Sequence, residues 1–80
     1  MISSMEVSLY PLGKESLGPD IDRFLETLNS FNVTVAPGSM STVVTGETSE
    51  LFRAVEAAYT SVGEGRSVVL VTKISNACPV

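Results

Sequence analysis

The sequence predicts an α+β fold with its elements in the order β-α-β-β-α-β, a four-stranded antiparallel sheet carrying both helices on one face. Three observations predict it. Two segments, from Ile21 to Phe31 and from Leu51 to Val62, repeat apolar residues at helical spacings of three and four. Four shorter segments alternate or are rich in β-branched residues, as strands are. Gly18-Pro19 and Pro37-Gly38 mark breaks between them. This is the split βαβ, or ferredoxin-like, arrangement, in which the first and third strands are central neighbours. Residues 1–80 read as one domain.

The first strand runs over Met5 to Leu12. Met5, Val7 and Leu9 share one side, and Glu6, Ser8 and Tyr10 share the other. Pro11 and Gly13 end it. Pro19 suits the start of the first helix, where its missing N–H costs nothing. Asp20 and Asp22 fall in the first turn, where the helix dipole favours negative charge. Ile21, Phe24, Leu25, Leu28 and Phe31 form the apolar face, and the poor helix formers of Asn29–Asn32 end it. Val33-Thr34-Val35 is a short strand, Pro37-Gly38 a turn, and Met40 to Thr45 the returning strand of a hairpin. Thr48 is placed to cap the second helix. Leu51, Val55, Ala58 and Val62 form its stripe, with Phe52 and Tyr59 assigned to the core beside it, and Gly63 closes it. Ser67 to Ser75 is the most strand-like run of all.

Composition narrows the function. A chain of 80 residues with a net charge of −4 lacks the clustered Lys and Arg that nucleic acid requires. No apolar run approaches the length of a membrane span, and no signal peptide opens the sequence, so a cytoplasmic protein without membrane or nucleic-acid partners is expected. There is no histidine, and the one cysteine, Cys78, has no partner for a disulfide. Imidazole and thiolate metal sites are thereby excluded within one chain, and so is a histidine general base. No cofactor motif occurs: neither G-x-G-x-x-G nor a Walker pattern is present, and "PLGKES" offers Lys14 where an anion loop needs arginine. A binding protein is favoured over an enzyme, with a small hydrolase the least favoured class.

A small core of this kind supplies about 3–5 kcal/mol without staples, which favours self-association. The sheet face away from the helices is the natural place, since Val69 and Val71 would lie on it beside Lys73. The hydroxyl residues Ser39, Ser41, Thr42 and Thr45, with Ser8 on the neighbouring strand, can orient a neutral heterocycle because each both donates and accepts. The same residues are also what a strand prefers for its own sake. Tyr10 has outward parity and is placed to stack on a ring. Glu6 and Lys73 are positioned to pair across neighbouring strands, and Glu47 to decorate the start of the second helix.

The stretches "EVSLYPLG" (Glu6–Gly13), "STVVTGETSELFRAVEAA" (Ser41–Ala58) and "VVLVTKIS" (Val68–Ser75) together resemble the small thiamine-binding protein family of ferredoxin-like domains. The resemblance implies non-catalytic binding of thiamine or its hydroxymethylpyrimidine part. It also implies a homo-oligomer, a dimer or tetramer formed through stacked sheets. Carried over by position, Ser8 and Thr42 match the family's serine and threonine. Thr45 stands where the family has an acidic residue, and "SNACP" replaces its charged end of the last strand. The expected ligand site is Ser8, Tyr10, Ser41, Thr42 and Thr45, with no metal and no cofactor. The departures keep a second reading in view, an oligomeric interaction module that has lost its ligand.

Overall fold

The computed structural model describes residues 1–13 and 18–77; Lys14 and Cys78 lie outside them. The elements are β1 (Ile2–Pro11), α1 (Gly18–Asn29), β2 (Thr34–Pro37), β3 (Thr42–Glu47), α2 (Thr48–Gly63) and β4 (Val68–Ser75). All strand pairs are antiparallel and the sheet order is β2-β3-β1-β4, so β1 and β3 are the central neighbours the sequence predicts. The fold is ferredoxin-like.

The core lies between one sheet face and the two helices. Met5 and Val7 from β1 and Val44 from β3 meet Phe24 and Leu28 of α1 and Leu51, Ala54, Val55, Ala58 and Val62 of α2, all buried. The strand alternation and helical spacing thus converge on one layer, as the fall in apolar exposure requires. Register carries this parity across the sheet: Met5 faces Val44 and Ile74, while Glu6 faces Val43 and Lys73.

Several local expectations need correction. β1 begins at Ile2 rather than Met5. Ser3 and Ser4 carry no apolar alternation, but their hydroxyls are taken up by neighbours. Ser3 Oγ lies 2.7 Å from Thr48 Oγ1 and Ser4 Oγ 3.3 Å from Thr45 Oγ1. Thr48 does not cap α2. It is the first helical residue, Glu47 precedes it without a side-chain cap bond, and the Thr48 hydroxyl donates to the Met1 carbonyl at 2.9 Å. With that proton committed, Ser3 is the donor to Thr48, which satisfies a buried hydroxyl. Gly63 is the last helical residue, and the left-handed conformation falls to Gly65 (φ 81°), where only glycine sits without strain. Phe52 and Tyr59 are not core: they are 53% and 44% exposed, beside the buried stripe of α2. The buried stripe of α2 is filled by Ala54 instead, a small residue the spacing argument passed over.

One ion pair joins distant segments, and a second, within α2, is tied to a distant segment by a hydrogen bond. Arg66, in the connection between α2 and β4, pairs with Asp20 in the first turn of α1 and also donates to the Leu12 carbonyl at 2.8 Å. Glu50 of α2 pairs with Arg53 and accepts the Asn32 N–H at 3.2 Å. The Arg53 guanidinium, then the Asn32 N–H, hold the Glu50 carboxyl below its ordinary value near 4.5, against partial desolvation. A depressed folded value means a contribution present above the unfolded value and lost as pH falls through the lowered one. Arg53→Ala should therefore move the Glu50 titration upward towards the ordinary carboxylate value, read by NMR of its side-chain carboxyl; an unmoved midpoint would rule out Arg53 as the cause.

Candidate functional site

β1 is ten residues long and β3 only six. Pairing between them stops at Val7 facing Thr42. Beyond that point Ser8, Leu9 and Tyr10 remain paired to β4 through Val71, Leu70 and Val69. On the opposite edge of this segment no strand of the described residues pairs. The chain has turned away there through Gly38–Ser41, and a cleft opens between the free edge of β1, the hairpin tip and α1.

The cleft encloses about 170 Å³. Ile21, Phe24 and Leu25 of α1 form an apolar wall, and Ser8, Tyr10, Ser41 and Thr42 contribute hydroxyls. Main-chain groups along an unpaired strand edge add directional donors and acceptors. An apolar wall with a few convergent polar groups is the usual composition of a small-molecule site. The volume is below the about 300–1,000 Å³ typical for drug-sized ligands, and suits a single ring.

Four of the five residues expected from the sequence border this cleft, but from two sides of the sheet. Ser8 and Tyr10 belong to the face away from the helices. Thr42 pairs with Val7 and so shares the helix-facing side. The cleft wraps around the end of the β1–β3 ladder, which is why residues of opposite parity meet in it. Thr45 is not brought there. It faces Ser4 further along the ladder and borders a separate polar depression with Thr34, Gly46 and Glu47. Ser39 does line the cleft.

The hairpin tip is closely constrained. Gly38 N–H donates to the Ser41 carbonyl at 2.9 Å, and a Cβ on Gly38 would come within 2.8 Å of that carbonyl oxygen. Glycine is required here by close approach rather than by dihedral angle. Ser41 Oγ in turn donates to Glu6 Oε2 at 3.1 Å, and Glu6 Oε1 lies 3.8 Å from Lys73 Nζ. The expected Glu6–Lys73 pair is present, and Ser41, just before β3, extends it to the hairpin tip. Sequence reasoning missed this link, together with the α1 wall, whose residues the helical spacing assigned wholly to the core. The inequality of strand lengths was the signal for the free β1 edge.

Away from the cleft, the uncovered sheet face carries Val43, Val69 and Val71, each more than two-fifths exposed, around Tyr10 and the Glu6–Lys73 pair. Among the described residues no cluster of metal-ligating side chains occurs, and no helix is long and apolar enough to cross a membrane.

The family model described as thiamine-binding protein matches residues 5–77. No curated protein matches the chain. Among solved structures, a hypothetical protein of Methanocaldococcus jannaschii superposes with a TM-score of 0.88 at 28% identity, over 96% of this chain and 81% of that one. A Streptococcus pneumoniae protein gives 0.85 at 27% identity, over 94% and 86%. A proposed thiamine biosynthesis/salvage protein of Thermotoga maritima gives 0.81 at 21% identity, over 92% and 82%, a likeness of fold.

Proposed function

Since the chain belongs to the thiamine-binding protein family, we propose that it binds thiamine or its hydroxymethylpyrimidine part without turning it over, in the cleft at the end of the β1–β3 ladder. The observation that carries this reading is the convergence of Ser8, Tyr10, Ser41 and Thr42 on one cavity of single-ring size against the apolar wall of α1. The pyrimidine enters edge-on. Its ring nitrogens and exocyclic group meet the hydroxyls and the free edge of β1, its faces meet Phe24 and Leu25, and Tyr10 stacks at the mouth. The thiazolium lies outward, towards the carboxylate of Glu6. Thr45, which borders another depression, has no part in this pose.

The working form is a cytoplasmic homo-oligomer of single-domain chains, associated through the uncovered sheet face. Val43, Val69 and Val71 form an apolar band there that water leaves poorly solvated. The absence of a histidine base and of an anion loop favours binding over catalysis.

Isothermal titration calorimetry with thiamine and then with hydroxymethylpyrimidine tests the proposal. Saturable heat with either compound is expected, with one site per chain. Ser8→Ala and Thr42→Val should each weaken it by about three- to tenfold, the worth of one hydrogen bond, in a protein that sedimentation shows to be folded and oligomeric. Silence with both compounds, from a folded oligomer, would leave instead an interaction module that keeps the fold without a ligand, the reading that Thr45 favours.

A further inference from the structure

We propose that Glu6 is a positioning residue that fixes the proton of the Ser41 hydroxyl, so that the cleft prefers a pyrimidine bearing an exocyclic amine to its oxo counterpart. The inference rests on the ligand class proposed above.

A serine hydroxyl has one proton and two lone pairs, and its rotor ordinarily adapts to whatever group it meets. Ser41 is not free in this way. Its Oγ lies 3.1 Å from Glu6 Oε2, and an ionised carboxylate only accepts, so the proton points at Glu6. Lys73 Nζ lies 3.8 Å from the other carboxylate oxygen, which leaves Oε2 for Ser41. The main chain beneath Ser41 is held as well, by the Gly38 N–H on its carbonyl. Towards the cleft, which Ser41 lines, its oxygen therefore presents lone pairs alone.

A group meeting that oxygen must bring a hydrogen. An exocyclic amine does so. An oxo group at the same position sets acceptor against acceptor and leaves both without a partner, a loss for each. Ser8 does not share this polarity. Its hydroxyl has no side-chain hydrogen bond among the described residues, so it rotates to suit either ligand. The discrimination is thus assigned to the Glu6–Ser41 pair and not to the hydroxyl cluster as a whole.

The test is a calorimetric titration of two uncharged probes, 4-amino-5-hydroxymethyl-2-methylpyrimidine and its 4-oxo analogue, at pH 7.5. Wild type should prefer the amine by roughly three- to tenfold, one net hydrogen bond. In Glu6→Gln the amide can donate to Ser41 and release its proton to the cleft, so the ratio should fall to about one or invert, with melting unchanged. Glu6→Asp, still an acceptor, should keep a preference for the amine. Adding Glu6→Gln to Ser41→Ala should change the ratio no further, since Glu6 acts through Ser41. An unaltered ratio in Glu6→Gln, with both probes still bound, overturns the proposal and leaves the binding function standing. Failure of the wild type to bind either probe overturns both.

Discussion

Asp20→Ala should cost about 3–5 kcal/mol, the usual penalty for leaving one partner of a buried ion pair behind. The Asp20 and Arg66 side chains are only 3% and 13% exposed. Once the carboxylate is gone, the guanidinium keeps only the neutral Leu12 carbonyl among its described partners, and its Nε already has none there. The first turn of α1 also loses the anion that its dipole favours. Against a total of about 4–12 kcal/mol for a chain of this length, such a loss brings the protein close to unfolding. Urea denaturation measures it, and a change under about 1 kcal/mol would show the pair to be solvated in practice. Replacing both partners, as in Asp20→Ala/Arg66→Leu, should recover much of the stability. The desolvation cost disappears together with the attraction.

Leu28→Ala is expected to be of similar size, about 2–5 kcal/mol. Leu28 is fully buried in the layer that α1 and α2 share with the sheet. Its loss removes apolar contact and leaves a cavity that two packed helices cannot close. For a domain this small, a loss of about 3 kcal/mol lowers Tm by roughly 12–24 °C, and calorimetry reads it directly. Phe52→Ala is the internal comparison. A larger side chain is truncated, but it stands mostly in solvent, so a shift of only a few degrees is expected. Equal shifts for the two variants would mean that α2 buries its aromatic flank in a contact between chains.

The fold was legible because its two periodicities are unambiguous: three- and four-residue steps through Phe24 and Leu28, two-residue steps through Met5 and Val7. They also placed Tyr10 outward and paired Glu6 with Lys73. Less could be read where polar residues do structural work. Ser3 lay outside the expected first strand and Thr48 looked like a helix cap, yet they bond to each other inside the fold. Asp20 looked like a dipole partner, and its second partner, Arg66, is remote in sequence. Phe52 and Tyr59 show the limit of spacing arguments on a helix. One step of rotation carries an aromatic from core to solvent, and alanine at position 54 settles which side is packed. The cleft could be anticipated as a collection of hydroxyls but not as a shape. Its form depends on where β3 stops, and strand ends are the feature least constrained by alternation.

The sheet order has a kinetic consequence. β1, first in sequence, holds the centre, and one of its two partners is the last strand, so that Ser4 meets Ser75 across most of the chain. A β-hairpin forms from neighbours at once, as β2 and β3 do, whereas the β1–β4 ladder must close a loop that contains every other element. During synthesis β1 therefore waits with one edge unpaired until β4 has been made. Late closure of the sheet makes the interval before β4 docks the period in which its exposed strand edge is most open to misassembly with other nascent chains.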